Sequence, residues 1–201
     1  MTEKLFSLEV HLVATKTGLT EIRWHGRGGQ GAVTSAELLA RAAISEGKYA
    51  QAFPSFGPER RGAPVLAFDR VDSEAPIRVR AEVREPDVVI VLDPTLLRVV
   101  KVTAGLKDNG LLIINTRKDF AQVEKEFGGN WKLALVNGSH IAREVLGVNI
   151  VNTTILGALL KALPVINVES LTAPLEDRFG RLAERNMAAL KRAYEETGVK
   201  E

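Results

Sequence analysis

The segment from residue 22 to residue 47 does most to limit what this chain can fold into. A short strand at residues 21–24 runs into four glycines between positions 26 and 31. Apolar residues then recur at helical spacing to about Glu46, and Gly47 is well placed to end the helix. This succession predicts a strand, a glycine-rich turn and a helix, the opening unit of an α/β fold.

The next part of the chain predicts a mostly parallel, mixed sheet. Residues 49–53 suit a second strand. Residues 65–71 and 77–83 alternate apolar and polar positions around a polar turn, which favours an antiparallel hairpin with one solvent-facing side. Three fully apolar runs, 88–92, 111–114 and 133–136, are separated by helix-length segments and predict buried parallel strands.

The last quarter of the sequence is predominantly helical in pattern. Residues 150–163, 168–179 and 181–196 predict three helices. We therefore expect a three-layer α/β/α fold with a mostly parallel, mixed sheet and a helical C-terminal portion. A length of 201 residues suits a single α/β domain, with residues 1–20 as an N-terminal extension and 150–197 as the C-terminal helices.

Composition excludes several classes of function. The sequence contains no cysteine, which rules out disulfides, thiol catalysis and cysteine-held iron–sulfur clusters within it. The formal net charge is +2 and the basic residues are scattered, so no tract indicates a nucleic-acid or anionic-membrane surface. No apolar run has the length of a signal peptide or a membrane span. We expect a cytoplasmic protein that binds neither nucleic acid nor membrane.

The glycine-rich turn is the first candidate binding site. Its glycines fit the G-x-G-x-x-G pattern between a strand and a helix, where bare amides and the helix dipole favour an anion. Arg27 adds a cation. The alternative is that the glycines only form a tight turn against a neighbouring segment or subunit. The candidate binding residues here are Gly26, Arg27, Gly28, Gly29, Gln30 and Gly31.

An ordinary dinucleotide site is disfavoured. NAD enzymes of this type place an acidic residue at the end of the second strand, where it binds the adenosine ribose. The second strand here ends in Phe53, Pro54 and Ser55, and neither Glu46 nor Glu59 is well placed for that role.

A second candidate region is the loop at residues 51–64, which contains three prolines, two phenylalanines and paired arginines. Phe53 and Phe56 offer apolar surface, and Arg60 and Arg61 can grip a carboxylate or phosphate. The alternative is internal: Glu59 pairs with an arginine and both phenylalanines pack in the core.

The remaining polar candidates have simpler structural interpretations. His25 and His140 lie beside glycines without an evident carboxylate partner in the sequence, so we predict no catalytic residue and no metal site. Asp93 is followed by proline and threonine, an ordinary turn signal. Asn115 and Asn137 end apolar runs, as asparagine commonly does, although the carboxyl ends of parallel strands are also where ligands bind.

Taken together, residues 25–31, 53–64 and 87–95 resemble the gamma subunit of the 2-oxoacid:ferredoxin oxidoreductases, which include the pyruvate and 2-ketoisovalerate enzymes. The resemblance extends from about residue 21 to residue 197 and includes residues 152–160.

This resemblance implies a subunit of a larger enzyme, inactive alone, with alpha, beta and delta (ferredoxin-like) subunits as partners. Other chains would hold thiamine diphosphate and iron–sulfur clusters. The complex would decarboxylate a 2-oxoacid oxidatively, forming an acyl-CoA and passing two electrons to ferredoxin. This chain would cover the active site and bind coenzyme A, with phosphates at the glycine turn, the 3′-phosphate at Arg60 or Arg61, and Phe56 beside them.

Two other functions stay open at this point: a stand-alone NADP-dependent reductase, for which Arg60 and Arg61 would accept the extra phosphate, and a non-enzymatic nucleotide-binding module. The missing ribose-binding acid weakens the first. The motifs do not identify the 2-oxoacid.

Overall fold

In the computed structural model, which describes residues 18–55 and 62–200, seven strands form one mixed sheet. In chain order they are β1 (Leu19–Arg27), β2 (Tyr49–Pro54), β3 (Pro64–Asp72), β4 (Val88–Val91), β5 (Leu111–Asn115), β6 (Lys132–Val136) and β7 (Gly198–Lys200). Their order across the sheet is β2-β3-β1-β4-β5-β6-β7. Residues 5–13, whose sequence could form a strand, lie outside the described residues.

The described helices are α1 (Ala32–Ser45), α2 (Phe120–Phe127), α3 (Gly138–Leu146), α4 (Asn152–Ala162), α5 (Thr172–Phe179) and α6 (Ala183–Glu196). Their ends follow local chemistry. Gly47 takes a φ of 80° just beyond α1, a conformation that glycine adopts without strain. Asp119 and Gln122 form a reciprocal capping box at the start of α2. The predicted strand–turn–helix unit at residues 22–47 and the helical C-terminal portion are both confirmed.

The centre of the sheet is parallel because β1, β4, β5 and β6 run in one direction. The registers align Ile22 with Val88 and Val88 with Leu111. Both edges are antiparallel: β3 pairs with β1 and β2 on one side, and β7 pairs with β6 on the other. The mixed sheet is therefore confirmed.

Apolar layers cover both faces of this sheet. On the first face, α1 and the C-terminal helices pack on side chains such as Trp24, Ile90 and Ile113. On the second face, α2 and the segment from residue 94 to residue 106 pack on Val89, Val91 and their neighbours. Burial on both faces explains why β4, β5 and β6 are apolar throughout.

The hairpin expected between residues 65–71 and 77–83 is wrong in its second half. Residues 65–71 belong to β3, but residues 77–83 form no strand. The reason is that β1 and β2 already occupy both edges of β3. Side chains bind the segment by its carbonyls instead: Gln51 Nε2 donates to Ile77 O at 2.9 Å, and Arg70 Nη1 donates to Val79 O at 3.2 Å.

Within the described part of the chain, no helix has the length and apolar character needed to cross a bilayer.

Candidate functional site

The topology marks one edge of the sheet as the place for a ligand. From β1 the chain passes through α1 to β2 and β3 on one side, whereas from β4 it continues to β5 and β6 on the other. The carboxyl ends of β1 and β4 therefore form a topological switch point, where open α/β sheets bind ligands. The glycine turn follows β1 at this point, and Asp93 follows β4.

Much of the glycine turn is hydrogen-bonded within the protein. Gly29 and Gly31 take φ angles of 93° and 83°, which glycine tolerates best. The Arg27 amide donates to Gln30 Oε1 at 2.8 Å, the Gln30 amide to Arg27 O at 2.9 Å, and the Gly28 amide to Ala63 O at 2.9 Å. The amides best placed for an anion are consequently those of the first turn of α1, which lack helical acceptors.

Asp93 connects the two strand ends. Its Oδ2 accepts from Arg27 Nε at 3.1 Å and Gln30 Nε2 at 2.8 Å, and its Oδ1 accepts from the Thr95 amide and hydroxyl. Partial burial acts to raise the pKa of Asp93, but the hydrogen bonds from Thr95 and Gln30 and the charge of Arg27 bring it below its ordinary value. Asp93 is thus an ionised cap of the following turn, as predicted, and also the partner of Arg27.

The glycine turn is joined to the end of the second candidate loop. Arg27 Nη1 donates to Gly62 O at 3.0 Å, and the Gly62 amide donates to Gly28 O at 3.2 Å. At the other end of the loop, the Ser55 amide donates to Leu66 O at 2.9 Å. Phe56, Arg60 and Arg61, the candidate residues of this loop, lie outside the described residues.

Three helices begin close together beside the turn. A Cβ on Gly31, just before α1, would lie 2.8 Å from the Cβ of Asn152, the first residue of α4. A Cβ on Gly138, the first residue of α3, would lie 3.6 Å from Cγ2 of Thr154 in α4. Each helix N-terminus carries a partial positive charge, so the three together favour a negatively charged group nearby.

A polar cleft of about 320 Å³ opens at these helix starts along the carboxyl ends of β4, β5 and β6. Its lining includes Gln30 and Asp93 and also Arg117, Arg143 and Asn149. Two arginines and three helix N-termini give the cleft a positive character suited to phosphate groups.

The two asparagines of this edge line the cleft and also serve the fold. Asn115 Nδ2 donates to Leu92 O at 2.8 Å and to Ser139 Oγ at 2.9 Å, and so ties β4 and β5 to α3. Asn137 caps α3 by accepting from the His140 amide. Both roles match the structural interpretation of these residues.

The histidines differ from the sequence-based expectation in one respect. His25 is 5% exposed, and burial together with the charge of Arg23 lowers its pKa to about 3. His140 does have a carboxylate partner, because Glu144 lies one helical turn away at 3.3 Å. His11, the remaining histidine of the sequence, lies outside the described residues. Among residues 18–55 and 62–200, no group of three or more histidines and carboxylates could hold a metal ion.

Glu46 is bound elsewhere in the fold. Its carboxylate accepts from the Asn167 amide and from Ser170 Oγ, both at 2.6 Å, and pairs with Lys48 at 2.8 Å. It therefore fastens the end of α1 to the C-terminal helices and is not available to a ribose. This agrees with the argument against NAD.

Sequence reasoning missed Asn152 as a member of the site, because its contact with Gly31 is non-local.

The sequence matches the pyruvate ferredoxin/flavodoxin oxidoreductase family over residues 21–196. The pyruvate/ketoisovalerate oxidoreductases common subunit gamma of Pyrococcus furiosus is 55% identical over 183 residues, which cover 90% of this chain and 98% of that protein.

Two solved structures extend the comparison. The crystal structure of the pyruvate oxidoreductase subunit PORC from Thermotoga maritima has a TM-score of 0.82 and 41% identity, covering 92% of this chain and all of that one. The 2-oxoglutarate:ferredoxin oxidoreductase from Magnetococcus marinus, solved with 2-oxoglutarate, coenzyme A and succinyl-CoA bound, shares the fold with a TM-score of 0.73. Its identity is 20%, over 90% of this chain and 31% of that one.

The family match covers most of the chain and the identities to gamma subunits are high, so the chain belongs to the pyruvate ferredoxin/flavodoxin oxidoreductase family, as a gamma subunit of a 2-oxoacid:ferredoxin oxidoreductase.

Proposed function

We propose that this gamma subunit binds coenzyme A at the carboxyl edge of its sheet and covers the active site of the assembled enzyme. The reaction is the oxidative decarboxylation of pyruvate or a related 2-oxoacid to an acyl-CoA, with electrons passing to ferredoxin. Alpha, beta and delta subunits are the partners, and they hold thiamine diphosphate and the iron–sulfur clusters. The absence of cysteine from this chain is compatible with that division.

The observation that carries the proposal is that the glycine turn is hydrogen-bonded to the chain directly after the two loop arginines. Gly28 exchanges hydrogen bonds with Gly62 and Ala63, and Gly62 directly follows Arg61 in the chain. A ligand that reaches the first turn of α1 is therefore close to Gly62, the residue that follows Arg61 in the sequence.

Coenzyme A has the chemistry that this surface requires. Its diphosphate suits the converging helix N-termini, its 3′-phosphate suits Arg60 or Arg61, and Phe56 offers apolar contact. The cleft beside the turn contributes Arg117 and Arg143 as additional cations. The side chain of Arg27 is paired with Asp93, so its role is to hold the turn in shape while the amides receive the phosphate.

The Magnetococcus structure supports the same ligand. That enzyme binds coenzyme A and succinyl-CoA, and about a third of its chain has the fold of this subunit. Coenzyme A is therefore a ligand of a complex in which this fold is present. Family membership also removes the reason to propose a stand-alone NADP-dependent reductase or a non-enzymatic nucleotide-binding module.

The proposal is tested by replacing both loop arginines with alanine in the assembled complex. We expect Arg60→Ala/Arg61→Ala to raise the KM for coenzyme A at least tenfold, because a lost charge-assisted bond to phosphate costs about 1.5–3 kcal/mol. The KM for the 2-oxoacid should stay unchanged, since its pocket belongs largely to other subunits. Steady-state kinetics with each substrate varied in turn gives both values.

A matched control removes the same charge elsewhere. Arg181 and Arg185 are exposed in the C-terminal helical portion, and Arg181→Ala/Arg185→Ala should leave both KM values as they are. Size-exclusion chromatography shows whether each complex remains assembled. An intact complex with normal coenzyme A affinity would reject the assignment, and a double variant that fails to assemble would identify the loop as a subunit contact instead.

A further inference from the structure

A second cleft lies on the other side of the glycine turn, over the second face of the sheet. It has a volume of about 510 Å³ and lies above β1 and β3, where no α-helix of the described chain covers the sheet. Its walls are mostly apolar and include Leu66, Leu96 and Val100, while Arg23 and His25 form its floor. A concave apolar site with a few polar groups is the usual form of a small-molecule pocket.

Arg23 places an unneutralised charge beneath this cleft. The residue is 7% exposed, and its terminal nitrogens donate only to backbone carbonyls, those of Val83, Arg84, Val102 and Ala104. In the described part of the chain no carboxylate pairs with it. Burial lowers the pKa of Arg23, but an arginine side chain remains charged in proteins. A buried cation without a counter-charge favours an anion close by.

His25 directs a hydrogen-bond donor into the cleft. Its Nε2 accepts from Arg23 Nε at 3.1 Å, so the proton of the neutral imidazole is on Nδ1. Among residues 18–55 and 62–200, Nδ1 donates to no protein acceptor, and it is not one of the buried side-chain atoms that lack a partner, so it is accessible from the cleft that His25 lines. A ligand oxygen in the cleft can therefore accept a hydrogen bond from Nδ1.

We propose that this cleft binds an organic carboxylate with an aliphatic tail. The carboxylate accepts from His25 Nδ1 and is attracted by the charge of Arg23, and the tail lies against Leu66, Leu96 and Val100. Lys101 adds a second positive charge at the opening. This site does not depend on coenzyme A binding, because it lies on the face of the sheet opposite α1.

A carboxylate fits this cleft better than a phosphate. The floor offers one free donor, whereas a phosphate dianion needs several donors to replace its hydration. The cleft-lining Ser55 donates through its Oγ to the Glu82 carboxylate at 3.1 Å, and this nearby negative charge repels a phosphate dianion more strongly than a carboxylate monoanion.

Isothermal titration calorimetry on the full chain, with no coenzyme A present, tests the site with octanoate. Octanol and octylammonium serve as probes with the same tail and a different head group. We expect saturable binding of octanoate, with octanol at least tenfold weaker and octylammonium not bound. Equal affinities for octanoate and octanol would overturn the proposal, as would no binding of octanoate.

Two variants locate the binding. Val100→Trp fills the cleft from its partly exposed wall and should abolish octanoate binding, while Val99→Trp, at a neighbouring residue that is 62% exposed, should not change it. His25→Phe keeps a ring but removes the donor and should weaken octanoate at least tenfold without weakening octanol. If His25→Phe does not fold, the comparison of Val100→Trp with Val99→Trp still tests the proposal. Octanoate binding that survives Val100→Trp would show that octanoate does not bind in this cleft.

Discussion

At the scale of single residues, Asp69 is the least expected feature of the fold. It lies in β3 facing α1 and is fully buried. Its Oδ2 accepts from Trp24 Nε1 at 2.6 Å, while its Oδ1 has no partner in the part of the chain that the structure describes. Burial raises the pKa of Asp69 well above its ordinary value, and the Trp24 hydrogen bond only partly opposes this. The folded protein therefore keeps Asp69 protonated to a higher pH than it would an exposed aspartic acid.

This protonation makes stability depend on pH. The pKa of Asp69 is higher in the folded than in the unfolded chain. The stability that protonated Asp69 contributes is therefore fully present below the unfolded pKa of about 3.9, and it is lost as pH rises through the folded pKa. Asp69→Asn cannot titrate. We expect its free energy of unfolding, relative to the native chain, to increase with pH by up to about 1.4 kcal/mol per pH unit above pH ~4.

Urea unfolding of both proteins between pH 4.5 and pH 8 measures this difference. The exposed Asp108 supplies the control, because Asp108→Asn should follow the native pH profile. Parallel profiles for Asp69→Asn and the native chain would show that Asp69 is ionised in the fold.

At the scale of elements, sequence patterns predicted those strands and turns whose formation depends on local interactions. The apolar runs became β4, β5 and β6, and glycine spacing predicted the turn after β1. The alternation at residues 77–83 did not produce a strand, since strand formation depends on a free edge and β3 has none. The links of Asp93 to Arg27 and of Gly31 to Asn152 join residues far apart in sequence, so no spacing rule could predict them.

The packing of α4 against α6 can be tested at Gly157, where the two helices are in close contact. A Cβ on Gly157 would lie 2.0 Å from Leu190 O and 2.8 Å from the Tyr194 amide nitrogen, both in the backbone of α6. Gly157→Ala must therefore push the two helices apart. Such overpacking typically lowers the free energy of unfolding by about 1–3 kcal/mol, and by more when the clash is with backbone. The better helix propensity of alanine raises it by only about 1 kcal/mol.

We expect Gly157→Ala to lower the free energy of unfolding by about 2 kcal/mol, as measured by urea denaturation. Ala188→Gly at an exposed position of α6 calibrates the propensity term, and it should cost about 1 kcal/mol. A stabilised Gly157→Ala protein would mean that propensity outweighs the contact and that the two helices do not approach so closely.

At the scale of the whole molecule, the C-terminal helices are part of the candidate site. Asn152 at the start of α4 packs on Gly31, and Ser35 Oγ donates to Asn152 O at 2.9 Å. Glu46 anchors the far end of α1 to Asn167 and Ser170. Helix α1 is thus held at both of its ends by the last quarter of the chain, nearly all of which lies within the family match over residues 21–196.

The proposed roles of the subunits predict which chains determine the preference for one 2-oxoacid over another. Under the proposed function, this chain recognises coenzyme A and not the 2-oxoacid. Combined with the partner chains of a pyruvate enzyme or of a ketoisovalerate enzyme, it should give each complex the preference of those partners.

The measurement is the ratio of kcat/KM for pyruvate to that for 2-ketoisovalerate, which reports differential transition-state binding of the two acids. For each set of partners, we expect the ratio to stay within about twofold of that with the partners' own gamma subunit. Arg60→Ala/Arg61→Ala should raise the KM for coenzyme A in both complexes without moving either ratio. A ratio that changed with the gamma subunit would instead place part of the 2-oxoacid pocket on this chain, and the cleft above His25 would then be the first place to search for it.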